Sequence, residues 1–201
     1  MLEIADASLE ERDKYTEIWT DVPDYRLNSP GMAHVPHFLS IMNPPARSSI
    51  IDLGCGEGRA GVEFYNRGFD VTWLDITGAA IAGEVKDTGR FYEQPLWRQI
   101  PLRWDGKTQT KTGRYDFGFC CDVLEHIPPE YTMLCVSRII DACDMAYLHV
   151  CLHADEFGRA IGQPLHLTVQ PFLWWRNRLA TFCTVHDARD LCGDALFVVS
   201  R

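Results

Sequence analysis

No apolar run in this chain of 201 residues approaches the roughly 18 that a membrane-spanning helix needs, so no spanning helix is expected. The amino terminus, Met1-Leu2-Glu3-Ile4-Ala5-Asp6, has neither the basic start nor the apolar core of a secretory leader. Positive charge is scarce: 19 Lys and Arg against 28 Asp and Glu leave a net charge of −9 with histidine neutral. A grip on DNA or RNA over the whole surface draws on clustered cations, so a nucleic-acid partner is not expected. The eight cysteines include no C-x-x-C pair, and no Cys/His cluster has zinc-finger spacing, so no metal site is expected. They read instead as reduced thiols of a cytoplasmic protein, acting as small core hydrophobes. Internal repeats and low-complexity linkers are missing too. The remaining composition, 46% hydrophobic and 23% charged, belongs to a globular chain with one domain's worth of residues.

Two regimes divide the chain. Residues 1–48 carry mixed charge, aromatics and turn residues, with helices expected at about 8–19 and 31–42 and a stop at Pro44-Pro45. This segment reads as an amino-terminal extension over a domain at 49–201, and Tyr15, Trp19 and Tyr25 either line a site or only pack. From Ser49 strands and helices alternate. Strands are expected at 49–53, 70–74, 91–96, 115–121, 145–152 and 195–200. Helices are expected at 58–67, at 77–86 with Thr77 as its cap, from Pro128-Pro129-Glu130 onward, and at 170–181. That alternation means βαβ units, hence an α/β fold with a mainly parallel sheet and helices on both faces. Ligands of such sheets bind at the carboxyl ends of the strands.

The loop after the first strand is Asp52-Leu53-Gly54-Cys55-Gly56-Glu57-Gly58-Arg59. Alternate glycines allow a tight turn and a close approach of backbone to ligand. A dinucleotide fingerprint, G-x-G-x-x-G, needs its third glycine at position 59, where Arg59 stands, and this sets back a nicotinamide oxidoreductase. Asp75 ends the second strand 19 residues beyond Gly56, the place from which a carboxylate accepts hydrogen bonds from a ribose diol. The fourth strand runs out into Asp122-Val123-Leu124-Glu125-His126-Ile127-Pro128.

The glycine loop and the segment after the fourth strand together resemble the motifs of class I S-adenosylmethionine-dependent methyltransferases, including those of the ubiquinone-biosynthesis type. The resemblance covers residues 48–150 well. It implies a Rossmann-like sheet of seven strands with the last one antiparallel, and S-adenosylmethionine as cofactor with S-adenosylhomocysteine as product. It places Asp52, Gly54, Cys55, Gly56 and Gly58 around the cofactor's amino-acid portion and Asp75 on its ribose. Ile76 falls against the adenine, and Asp122 and Val123 lie near the sulfonium. The acid that the family often carries after strand three has no clear equivalent, so Trp97 is expected to stack on the adenine, with Asp105 as the lesser substitute. A looser similarity, in the stretch 153–175 with Leu165-His166-Leu167-Thr168 and Trp174-Trp175, is to small methyltransferase-like proteins of bacteriophages, so a viral protein is expected.

Methyl transfer needs alignment of acceptor and donor and, for an oxygen or nitrogen acceptor, a base. His166 and His153, in the loop after strand five, are the candidates facing an acceptor, with His126 as a third. A small-molecule acceptor is expected. Residues 98–114 hold five cations against Asp105, which reads as a solvated run more than as a nucleic-acid patch. Another transfer chemistry on the same cofactor fold, or a non-catalytic cofactor- or partner-binding module, are the alternatives.

Overall fold

Five residues, Ser49–Leu53, form β1 and every one is buried. A strand covered on both faces reads as a continuous apolar run, and Ile50, Ile51 and Leu53 supply it. The computed structural model describes residues 2–27, 29–103 and 113–201. Its seven strands are β1, β2 (Asp70–Asp75), β3 (Phe91–Glu93), β4 (Tyr115–Cys121), β5 (Cys143–Cys151), β6 (Thr184–Asp190) and β7 (Asp194–Ser200). They lie in the order β3-β2-β1-β4-β5-β7-β6. Strands β1 to β5 pair in parallel, while β7 runs antiparallel to both β5 and β6. The sheet is Rossmann-like and mainly parallel. The chain winds outward from β1 to β3 and returns to β4 on the other side, so the topological switch lies between β1 and β4.

Alternating residues send their side chains to two separate cores. Ile51, Cys120 and Leu148 face one core with α6 (Pro129–Ala142) and α7 (Phe172–Leu179). Ile50, Phe119, Cys121 and Tyr147 face the other with α3 (Pro30–Met42) and α4 (Arg59–Asn66). Phe38 of α3 is fully buried against Phe64, Phe117, Phe119 and Tyr147. The amino-terminal segment is thus built into the domain core through α3, and α1 (Leu2–Asp21) and α2 (Pro23–Leu27) precede it. All eight cysteines are free thiols, and Cys120 and Cys121 point to opposite cores.

Two expected elements differ, and one strand has no counterpart among the expected spans. The helix placed at 77–86 shrinks to α5 (Gly83–Asp87), with Ala82 and not Thr77 at its cap. Asp75 and Thr77 are the reason: their side chains accept the backbone N–H groups of Thr77 and Ala79, the local competition that turns a helix start into a loop. The third strand ends at Glu93 instead of Leu96. The Gln94 N–H gives the last rung, to the Asp75 carbonyl, and the Thr77 N–H that would carry the ladder on donates to the Asp75 side chain instead. Strand β6, Thr-Val-His-Asp-Ala-Arg-Asp, is the seventh strand that the resemblance implies and that no span read from the sequence locates. It is an edge strand whose charged residues suit solvent, so it carries no apolar alternation.

Candidate functional site

A cavity of about 620 Å³ opens at the carboxyl ends of β1, β2 and β4. Gly54 and Cys55 both donate to the Leu74 carbonyl, at 2.8 and 3.1 Å, so the loop after β1 is tied to the end of β2. Gly54, Gly56 and Gly58 all lie in the left-handed region, with φ of 74°, 55° and 86°. The first two also face close neighbours. A Cβ at Gly54 would sit 2.4 Å from a Val123 methyl, and one at Gly56 would sit 2.9 Å from the Trp19 ring. Gly58 turns away from the cavity, toward Val85, Ile81 and Trp73. Arg59, at the position that set back a dinucleotide fingerprint, pairs with Glu57 and donates to the Arg26 carbonyl of α2.

Two buried carboxylates hold this loop. Asp52 accepts the Gly61 N–H of α4 at 2.9 Å, and burial pushes its carboxyl up to about 7. Asp75 accepts the N–H groups of Gly56 at 2.8 Å and Thr77 at 3.1 Å, and burial outweighs those bonds to leave it at about 6. A carboxylate offers about four acceptor positions, so roughly two remain on Asp75 for a further pair of donors.

At the end of β4, Asp122 adopts a left-handed backbone with φ 54°. The adjoining Glu125 is fully buried, and burial followed by the charge of Asp122 raises its carboxyl. Its Oε1 accepts the Cys151 N–H, and its Oε2 has no hydrogen-bond partner among the described residues. The Glu125 carbonyl accepts the N–H groups of Leu167 and Thr168 at 2.8 Å each, which fastens the loop after β5 to this corner. Asp155 fixes the other end of that loop by accepting the N–H groups of Gly158, Leu165 and His166.

The three histidines anticipated from the sequence come together. His126 meets the Tyr15 hydroxyl at 2.7 Å through Nδ1, and its ring stands edge-on to His166 with centroids 4.5 Å apart. Burial, with His166 adding to it, drives His126 down to about 3, so it is neutral at pH 7. Nδ1 of His166 donates to the His153 carbonyl at 2.6 Å, which leaves Nε2 with its lone pair. His153 is exposed beside it.

Of the anticipated residues, Asp52, Gly54, Cys55, Gly56, Asp75, Ile76, Asp122 and Val123 line the cavity. So do Trp97 and the three histidines. Trp97 is nearly fully buried: its ring stacks on Tyr131 with centroids 5.2 Å apart, and its Nε1 donates to Ser8 at 3.1 Å. Asp105 and much of the basic run lie outside the described residues. Tyr15, Trp19 and Tyr25 line the cavity, and Trp19, Tyr25 and Phe157 form an edge-to-face chain in its wall. Sequence reasoning misses Glu125 and Asp155. Glu125 lies inside the segment that follows β4, but its burial depends on β5.

A mainly parallel sheet with a glycine loop after β1, acids closing β2 and β4, and an antiparallel last strand defines the class I S-adenosylmethionine-dependent methyltransferase superfamily. The chain belongs to the methyltransferase domain family, which matches residues 24–194. Ubiquinone biosynthesis O-methyltransferase of Acinetobacter baumannii is 31% identical over 99 residues. That stretch is 49% of this chain and only 38% of the relative's length. Among solved structures, the 1,6-didemethyltoxoflavin-N1-methyltransferase of Burkholderia thailandensis, bound to 1,6-didemethyltoxoflavin and S-adenosylhomocysteine, is similar with a TM-score of 0.68 at 15% identity, over 98% of this chain and 88% of that one. The magnesium protoporphyrin IX methyltransferase of Synechocystis PCC 6803 with bound S-adenosylhomocysteine gives 0.59 at 17% identity, covering 94% of each chain. No helix among the described residues is long and apolar enough to cross a membrane.

Proposed function

We propose that this protein transfers a methyl group from S-adenosylmethionine to a small-molecule acceptor. The observation that carries the reading is the loop of Gly54 and Gly56, held between Val123, Trp19 and Asp75 over a cavity of about 620 Å³. That volume suits a nucleoside-sized ligand with an acceptor beside it. The donor set fits this cofactor, since two acceptor positions left on buried Asp75 match the two hydroxyls of a ribose.

On this reading Asp52, Gly54, Cys55, Gly56 and Gly58 shape the ground under the cofactor's amino-acid end. Gly58 does so from behind, by letting the loop pack on Trp73. Ile76 lies against the adenine, and Trp97, fixed by Tyr131 and Ser8, closes that end. Asp122 and Val123 stand near the sulfur. When bound, the cofactor supplies a methyl on a positive leaving group. The chain then has to align the acceptor, exclude water and take up a proton. On this reading His166 takes up that proton, a role supported by its engaged Nδ1, which leaves the Nε2 lone pair. His153 flanks it, and neutral His126 braces it from behind. Residues 1–48 act as cover, contributing Tyr15, Trp19 and Tyr25 to the wall. A cavity wall of packed aromatic rings and the net charge of −9 favour a small molecule over a nucleic acid. The eight free thiols suit a reducing cytoplasmic compartment.

The test is a pair of measurements with Asp75→Ala. Its affinity for S-adenosylhomocysteine should fall by at least about tenfold, because hydrogen bonds to a charged group contribute roughly 1.5–3 kcal/mol. Methyl incorporation from labelled S-adenosylmethionine into a metabolite extract should fall with it. Unchanged affinity would remove Asp75 from the site.

A further inference from the structure

Two imidazoles and a carboxylate from three elements meet on the α3 side of the sheet, next to the cavity. Asp122 clamps onto His149 of β5 twice: its N–H donates to the His149 carbonyl, and its Oδ2 lies 3.1 Å from His149 Nδ1. His34 of α3 lies over His149, with ring centroids 3.8 Å apart and the rings tilted by 38°. One ligand atom from each of the three residues lies within 4.8 Å of the other two. Behind them the buried Tyr147 hydroxyl holds His34 Nδ1 at 3.1 Å, and His37 Nδ1 at 3.0 Å.

We propose that His34, His149 and Asp122 bind a divalent first-row transition metal ion. A structural Asp–His pair accounts for Asp122 and His149 but not for a second imidazole brought against the first. An imidazole whose other nitrogen is held by a buried hydroxyl is what a metal ligand requires, because the outer partner sets tautomer and ring angle. With Nδ1 of His34 engaged by Tyr147, Nε2 is the nitrogen left for an ion. Metal–ligand bonds of about 2.0–2.2 Å put ligand atoms roughly 3–3.5 Å apart. Asp122 and His149 already meet that spacing. The partly buried His34 ring closes the rest by turning on the order of 1 Å toward them. Two nitrogens and one carboxylate oxygen select zinc, cobalt, iron or manganese over calcium and magnesium. Asp122 also lines the cavity, so an ion here would fix the carboxylate at the cavity wall. The site stands on its own geometry, whatever the donor that the cavity holds.

Titration of the metal-stripped full chain with cobalt(II), followed by absorbance and metal analysis, tests this. One equivalent should bind, be displaced by zinc(II), and weaken by at least about tenfold in His34→Phe and in His149→Gln. Tyr147→Phe, which removes only the orienting hydroxyl, should also weaken it, by about tenfold or more. Glu125→Gln should leave binding intact, since Glu125 belongs to a separate cluster with Cys151 and His166. Should His149→Gln lose its circular dichroism signature, His34→Phe at the half-open helix face decides alone. Failure of the chain to bind cobalt or zinc overturns the proposal. So does binding indifferent to His34→Phe, or binding lost in Glu125→Gln with His34→Phe unaffected.

Discussion

Gly54→Ala would show whether the cradle is as tight as its geometry. Two costs are separable. Gly54 sits at φ 74°, where an L-residue with a Cβ pays roughly 1–2 kcal/mol. The added Cβ would also lie 2.4 and 2.8 Å from the two Val123 methyls. Overpacking of that kind costs about 1–3 kcal/mol. The single variant should therefore lose about 2–5 kcal/mol. Val123→Ala alone removes two partly buried methyls and should cost about 1 kcal/mol. In the double variant the methyl clashes are gone, leaving the Val123 Cβ at 3.2 Å, and the backbone cost remains. The coupling between the sites should therefore be favourable by about 1–3 kcal/mol. Urea unfolding of the four proteins, followed by tryptophan fluorescence with a common slope, measures it. Additivity within about 0.5 kcal/mol would refute the close approach of Val123 to the loop.

Asp52→Asn tests the electrostatics beneath the loop. The folded state holds the Asp52 carboxyl at about 7 against an ordinary 3.8, so its stabilising contribution is full below 3.8 and is lost as pH rises through 7. The variant keeps the acceptor for Gly61 and cannot ionise. Its stability relative to the wild type should rise between about pH 4 and 7 and then level off, with a slope of up to about 1.4 kcal/mol per unit. A difference independent of pH across that window would contradict the assignment. His126 works in the opposite sense: held at about 3 instead of 6.5, it costs stability as pH falls below 6.5. His126→Asn should flatten that acid limb in a pH series of thermal melts. Asp155→Ala strips the acceptor from three backbone N–H groups, and the amides of Leu165 and His166 should then exchange faster by at least about tenfold. Unchanged exchange there would mean that Glu125 alone holds the loop.

The glycine loop and the acids beside it are legible in the sequence because their chemistry is local. Asp52, the alternate glycines and Asp75 are close in sequence, and each needs a particular residue type whatever surrounds it. The β-branched and apolar runs of β1, β4 and β7 were readable for the same reason, since both faces are buried. Features decided by distant partners were not. Strand β6 exists only because β7 pairs with it, and its own residues suit solvent. The partners of Trp97 are of this kind: Tyr131 stacks on its ring and Ser8 accepts its N–H, both from far along the chain. Thr77 had the chemistry of a helix cap, yet it meets Thr16 of α1 and Ala79 of its own loop. His34, Tyr147 and His149 gave no signal because α3 and β5 each read as packing elements. Only the fold sets them side by side.

Calorimetry of the unmodified protein with S-adenosylmethionine, S-adenosylhomocysteine and NAD bears most directly on the central claim. The two sulfur nucleosides should each bind with one site per chain, and NAD should give no heat of binding. No binding of either sulfur nucleoside at millimolar ligand, or saturable binding of NAD in their place, would contradict it.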